Sequence, residues 1–211
     1  MSDDNIKITQ WYLVRHAPVI NAEKGVYAQA DGNAAIPEET IVNALKSSLP
    51  EDAIWHVSPL KRTRQTADAI SRSLSNLSYD DRLIEQNFGE WQGLSFEEIM
   101  RKIKDHPPHN WSLLSAGTTP PNGESFEDVQ KRVSDFIDSN VNEQPTRPRI
   151  LVTHAGVIRA FIGTALGLSN DNALALGVDP FSVSKLTHQT GTGKGGEWQL
   201  NSLNQTFGRK K

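Results

Sequence analysis

Three short apolar runs constrain this chain most: Trp11–Val14, Ala53–Val57 and Arg149–Thr153. Each is the length of a buried strand and is bounded by turn signals. The second and third lead straight into helical segments. Ser58-Pro59 supplies an N-cap and a proline for the first helical position, ahead of a helix predicted to reach about Leu74. Gly156 to Leu168 reads as a nearly all-apolar helix. Strands alternating with helices specify an α/β fold with a mainly parallel sheet, because parallel neighbours need a crossover between them. Ligands of such sheets bind outside the carboxyl ends of the strands. Two of the runs deliver a histidine to that place, in Leu13-Val14-Arg15-His16-Ala17 and Leu151-Val152-Thr153-His154-Ala155.

The rest of the chain fits round this frame. Pro37-Glu38-Glu39 opens a helix running to about Leu49, with proline and acids in its first turn. Tyr79 to Leu94 has aromatics and glycines without a period, and reads as a structured loop. Ser95 to about His106 is helical, with Phe96, Ile99 and Ile103 on one face. Pro107 to Gly123 is a surface excursion. Ser125 and Asp128 form a capping box ahead of an amphipathic helix that buries Phe126, Val129, Val133, Phe136 and Ile137. Phe181–Leu186 and Trp198–Leu203 are a terminal pair of strands. Asn21 to Ile36, small and polar, is expected to roof the strand ends. No repeat or long linker divides the chain, so residues 1–211 form one domain, with 1–8 and 207–211 expected to fray.

Composition removes several classes of function. There is no cysteine, which excludes disulfides, thiolate catalysis and Cys-ligated metals. A net charge of −3 gives no reason to expect a nucleic-acid or membrane-surface partner. Residues 1–10 do not form a secretory signal and no run is long enough to span a bilayer, so a cytoplasmic protein is expected. Nothing in the sequence fixes the oligomeric state.

The histidines suggest the chemistry. Arg15 and Arg62, the latter near a helix N-terminus, offer planar guanidinium forks suited to phosphate oxygens. His16, beside Arg15, is the better nucleophile candidate, and the neighbouring arginines are expected to keep its imidazole neutral. His154 would donate a hydrogen bond to a non-bridging oxygen. A zinc site on His16 and His154 is a rival reading, disfavoured because the arginines would repel a cation. Arg64 cannot share a helix face with Arg62 and is expected to be exposed. His56, His106, His109 and His188 carry no motif and are read as surface or packing residues.

Four motifs then occur in order: Val14-Arg15-His16; Ser58-Pro59-Leu60 through Arg62 to Gln65-Thr66-Ala67; Leu83 through Glu85 to Phe88-Gly89 and Trp91; and Thr153-His154-Ala155-Gly156. Together they resemble the histidine phosphatase superfamily, which includes cofactor-dependent phosphoglycerate mutases. Phe88-Gly89-Glu90-Trp91-Gln92-Gly93, with His16-Ala17-Pro18-Val19, Tyr27 and Asp31, is similar to its phosphatase members, the α-ribazole phosphatases included. The resemblance implies a single three-layer, phosphoglycerate mutase-like α/β domain, with a mainly parallel central sheet flanked by helices. It also implies a metal-independent phosphomonoesterase without a cofactor, acting on a small-molecule phosphate ester through a phosphohistidine. In it His16 is the nucleophile, Arg15, Arg62 and His154 bind phosphate, and Glu85 is the proton donor. Only the resemblance separates Glu85 from Glu90, Asp80 and Asp81. Where many members have Gly, an acid and a later Asn, this chain has Ala17, Pro18 and an Asn21 placed one residue early, which leaves open whether Asn21 reaches the phosphate. The mutase-type run after the acid is replaced by Gln86-Asn87-Phe88-Gly89. A phosphoglycerate mutase and a phosphate-binding module without turnover stay as the alternatives.

Overall fold

The computed structural model describes residues 6–20, 32–73, 77–141, 147–191 and 193–208. Along the chain run β1 (Ile8–Arg15), α1 (Glu39–Ser48), β2 (Ile54–Val57), α2 (Lys61–Ile70), β3 (Leu77–Tyr79), α3 (Phe96–Lys102), α4 (Phe126–Val141), β4 (Arg149–Thr153), α5 (Ala155–Leu166), α6 (Asn170–Leu174), β5 (Val183–Gln189) and β6 (Trp198–Gln205). The strands form one sheet in the order β3-β2-β4-β1-β5-β6. β1, β2, β3 and β4 run parallel, and β5 and β6 add an antiparallel edge.

Alternation along β1 builds two cores. Trp11 and Leu13 face α4, α5 and α6, where Trp11 packs edge-on against Phe136 at 6.5 Å. Tyr12 and Val14 face the other way, into the layer of α1 and α2. Two-sided burial of the parallel strands explains why they read as continuous apolar runs. A small satellite core of Trp91, Ile99, Ile103 and Leu114 supports α3 and the excursion after it. Gly89 joins this region to the excursion. Its φ is +50°, and a Cβ there would stand 2.1 Å from the Pro121 carbonyl oxygen, so no side chain fits.

Several elements differ from the sequence reading. β1 starts at Ile8, because Ile8 to Val14 pair with β5, a partner that local propensity does not reveal. β3 is a three-residue edge strand, half exposed and without an apolar pattern. α1 begins after Pro37, and Glu38 caps it without a side-chain hydrogen bond. α2 begins at Lys61 and ends at Ile70, not near Leu74, and Ser58 does not cap it. α3 follows Ser95, which forms a capping box with Glu98, but it stops at Lys102 rather than near His106, and Phe96 is 56% exposed while Ile99 and Ile103 are buried. The ends expected to fray are partly held: Lys7 exchanges hydrogen bonds with Thr190, and Phe207 packs on the core. The Ser125–Asp128 box forms as expected.

Candidate active site

Register brings the two histidines together. Arg15 on β1 pairs with Thr153 on β4, so the next residues, His16 and His154, emerge side by side. β1 connects toward β2, and β4 connects through α5 and α6 toward β5 on the opposite side. Their ends therefore mark a switch point, where a crevice forms. The His16 amide donates to the Thr153 carbonyl at 2.9 Å, and the Phe181 amide donates to the His16 carbonyl at 3.1 Å. Ala17 N–H donates to Thr66 Oγ1 at 2.9 Å, and that hydroxyl donates to the Arg62 carbonyl at 2.7 Å. Thr66 thus ties the turn after His16 to the turn of α2 that carries Arg62.

Hydrogen bonds define the state of His16. A carbonyl oxygen only accepts, so the 2.6 Å contact with the Ala17 oxygen places the proton on Nδ1. A guanidinium only donates, so Arg62 Nε at 3.3 Å identifies Nε2 as bearing the lone pair. His16 is 3% exposed and Arg62 1%. The His16 pKa is lowered to about 3, first by burial, then by Arg62 and less by Arg15, against the opposing Ala17 carbonyl. The imidazole is neutral as expected, but burial rather than the arginines is the leading cause.

His154 is fully buried at the N-terminus of α5, with its ring centroid 5.1 Å from that of His16. Burial first, then coupling to the His16 ring and the charges of Arg62 and Arg15, hold its pKa well below the ordinary histidine value. Its Nε2 lies 2.8 Å from Ser58 Oγ, whose proton has no other acceptor among the described residues; Leu60 N–H donates into the same oxygen at 3.5 Å. The hydroxyl therefore donates to Nε2 and the ring proton sits on Nδ1, a buried donor with no partner among the described residues. This is why Ser58 is not a helix cap, and it is a site residue that sequence reasoning assigned to capping.

Arg15 sends Nη1 to the Val178 carbonyl at 2.6 Å, on the wall between α6 and β5. Glu85 comes from the loop before α3. Its Oε1 accepts from Gln86 N–H at 3.0 Å and its Oε2 from Gly156 N–H at 3.3 Å, in the first turn of α5. A Cβ on Gly156 would come within 2.4 Å of Oε1, so glycine is what lets the carboxylate dock two residues from His154. The other acids go elsewhere. Asp80 pairs with Arg82 at 2.6 Å, Glu90 binds Asn122 at 2.8 Å, and Asp81 is exposed. The structure thus brings His16, His154 and Arg62 together at the carboxyl ends of β1 and β4, with Glu85 docked two residues from His154 and Arg15 on the strand beside them.

One charged neighbour was missed by sequence reasoning. Arg159 stands on α5 one turn past Gly156, and Glu85 and Arg15 are the charges that act on it. Its signal was available, since it is the only charged residue in an otherwise apolar helix. Arg64 is exposed, as expected, and stacks over Tyr79 at 5.4 Å. His56 and His188 are buried away from the pocket, and His106 is exposed. Among the described residues, no three His, Asp or Glu side chains are grouped to hold a metal ion. Asn21, Tyr27, Asp31 and most of the expected roof lie outside the described residues; of its flanks, Ala35 N–H donates to the Pro18 carbonyl and Ala34 N–H to Gln65.

Fold and pocket define a three-layer α/β protein with two neutral, buried histidines set among arginines at the strand ends. The chain belongs to the histidine phosphatase superfamily (branch 1), whose family model matches residues 11–206. It is 34% identical over 128 residues to the bifunctional protein Rv2228c of Mycobacterium tuberculosis, a match covering 60% of this chain and 35% of that protein. The chain thus spans about a third of the length of these mycobacterial relatives. It is 29% identical to putative phosphoserine phosphatase 2 of Hydrogenobacter thermophilus, over 83% of this chain and 87% of that one. It is 30% identical to probable phosphoglycerate mutase GpmB of Shigella boydii, over 85% of each. The solved structure of mycobacterial glucosyl-3-phosphoglycerate phosphatase superposes with a TM-score of 0.74 at 26% identity, covering 95% of this chain and 100% of that one. A putative α-ribazole-5'-P phosphatase from Escherichia coli shares the fold, with a TM-score of 0.76 at 21% identity over 96% and 99% of the chains. No helix among the described residues is long and apolar enough to cross a membrane.

Proposed function

We propose that this chain is a metal-independent phosphomonoesterase that hydrolyses a small-molecule phosphate ester through a phosphohistidine on His16. The observation that carries the reading is the tautomer of His16: Nδ1–H is tied to the Ala17 carbonyl, and Nε2 keeps a lone pair beside the Arg62 guanidinium. In the first step Nε2 attacks phosphorus, the P–O ester bond breaks, and Glu85 gives its proton to the departing oxygen. Arg15, Arg62 and the open Nδ1–H of His154 hold the non-bridging oxygens as their charge develops. In the second step Glu85 takes a proton from water, the water oxygen attacks phosphorus, and the P–N bond breaks. Inorganic phosphate leaves and His16 is regenerated. The arginines supply the positive charge that a metal provides elsewhere.

The relatives named for phosphoserine and glucosyl-3-phosphoglycerate hydrolysis support a phosphatase. The relative named as a probable mutase keeps phosphoglycerate isomerisation as the second reading, and α-ribazole phosphate as a leaving-group type belongs in the test panel. Rapid quenching with a labelled ester should trap a protein-bound phosphate stable to base and lost in acid. Phosphate release should outpace interconversion of 2- and 3-phosphoglycerate, and chelation should leave the rate unchanged. An acid-stable label would remove His16 as nucleophile. Isomerisation faster than phosphate release would make the protein a mutase.

A further inference from the structure

Arg159 is three residues beyond Gly156, so the two share a face of α5, and Gly156 is where Glu85 docks. Its Nε donates to the Leu176 carbonyl at 2.8 Å, while Arg15 donates to the Val178 carbonyl at 2.6 Å. Both guanidiniums are therefore hung from the same short wall between α6 and β5. Burial lowers the pKa of Arg159, the Glu85 carboxylate raises it and Arg15 lowers it again, so it sits in the field of both. Its two terminal nitrogens make no hydrogen bond with the described residues, and neither is sealed from solvent. A half-buried guanidinium with its Nε anchored to backbone and its terminal donors open is prepared for an anion.

We propose that Arg159 forms a second anion-binding position beside the phosphate pocket, and that it takes a carboxylate carried by the leaving group of the substrate. The proposal rests on the phosphomonoesterase reading for where the phosphate sits. Charge matching selects the carboxylate. Among the described residues the pocket holds three guanidiniums, those of Arg15, Arg62 and Arg159, and two imidazoles kept neutral by burial. Arg132, whose charge also reaches His154, is paired with Glu124 at 3.0 Å. Glu85 is uncharged when it carries the proton it will donate. A phosphate dianion answers two of the three positive charges. One carboxylate answers the third, whereas a second phosphate dianion would overshoot and a neutral alcohol would leave it unanswered.

Titration calorimetry with two non-hydrolysable phosphonates of equal length tests this without turnover. In the wild-type protein, 3-phosphonopropionate should bind on the order of tenfold tighter than propylphosphonate, the scale of one added hydrogen bond between charged groups. Arg159→Met should cost the carboxylate probe about tenfold more affinity than it costs propylphosphonate, and Arg159→Lys should restore part of the difference. A residue that only clamped the Leu176 wall would weaken both probes equally. Equal losses, or no carboxylate preference in the wild type, would overturn the proposal. Turnover of p-nitrophenyl phosphate separates the two readings. Turnover without carboxylate preference removes the second site alone, and carboxylate preference without turnover removes the phosphatase alone.

Discussion

The protein buries two histidine–arginine pairs, and they have different fates. Arg62 Nε meets His16 Nε2 at 3.3 Å, and Arg149 Nη1 meets His56 Nε2 at 3.1 Å. Both histidines are nearly shut off from water, at 3% and 8% exposure. His56, however, lies inside β2, and Arg149 opens β4 at its amino end. There Ser78 Oγ faces His56 Nδ1 at 3.3 Å, Phe136 packs edge-on against the ring at 5.1 Å, and Arg149 lies over Trp11 at 5.2 Å. Ser78, Phe136 and Trp11 thus pack against that pair, away from the carboxyl ends of the strands. The His16 pair sits past the carboxyl ends of β1 and β4, beside a second histidine whose Nδ1 has no partner among the described residues. A buried His–Arg contact is therefore not by itself a reactive site. Position at the strand ends and an unanswered donor next to it make the difference.

The comparison breaks first on two alanine substitutions. His16→Ala should abolish the trapped phosphate and lower turnover on the order of 10⁴-fold or more, as removal of a nucleophile does. His56→Ala should keep the label but destabilise the fold by roughly 1–3 kcal/mol, since Arg149 loses a buried acceptor. Turnover assays beside thermal unfolding decide it; a His56 variant that folds well but loses the label would dissolve the distinction.

The next effect sharpens the role of Glu85. Glu85→Gln should slow hydrolysis of alkyl phosphates by about 10²–10⁴-fold and that of p-nitrophenyl phosphate much less, because the nitrophenolate needs little protonation. Gly156→Ala should show the same leaving-group pattern at smaller size, because its methyl group would displace Oε1 of Glu85. Equal losses for both leaving groups would move the acid role to another residue.

The smallest effect is on stability against pH. The His16 pKa is depressed in the folded state, so the unfolded chain binds the extra proton between about pH 6.5 and 3. Its contribution to stability is present above that window and is lost as pH falls through it, by about 1.4 kcal/mol per pH unit for each such proton. Wild type should therefore lose stability relative to His16→Asn on acidification, read from urea denaturation at pH 7, 6 and 5. A constant gap between the two proteins would mean that His16 is not protected from protonation.

Much of this was legible in the residues. β4 spans the five residues read from the sequence, Arg149 to Thr153, because a strand buried on both faces leaves an uninterrupted apolar run. The two histidines were legible because strand ends are where open sheets place their ligands. β3 was not legible, since its strand character comes from pairing with β2 rather than from its own side chains. Ser58 misled because its local signal, Ser-Pro before a helix, is that of a cap, while a buried imidazole from a distant strand claimed the hydroxyl. Arg159 was passed over because a lone charge on an apolar helix has no local partner to mark it.

The sequence by itself determined the α/β class, the mainly parallel sheet and the residue types at the ends of β1 and β4. Those follow from periodicity and turn chemistry, which act over a few neighbouring residues. Only the tertiary structure decided which ring nitrogen of each histidine carries its proton, which of four acids reaches α5, and that a third guanidinium stands beside the pocket. The physical reason is that hydrogen bonding and desolvation depend on what packs against a group, and here Glu85 meets Gly156 and His154 meets Ser58 across long separations in the chain.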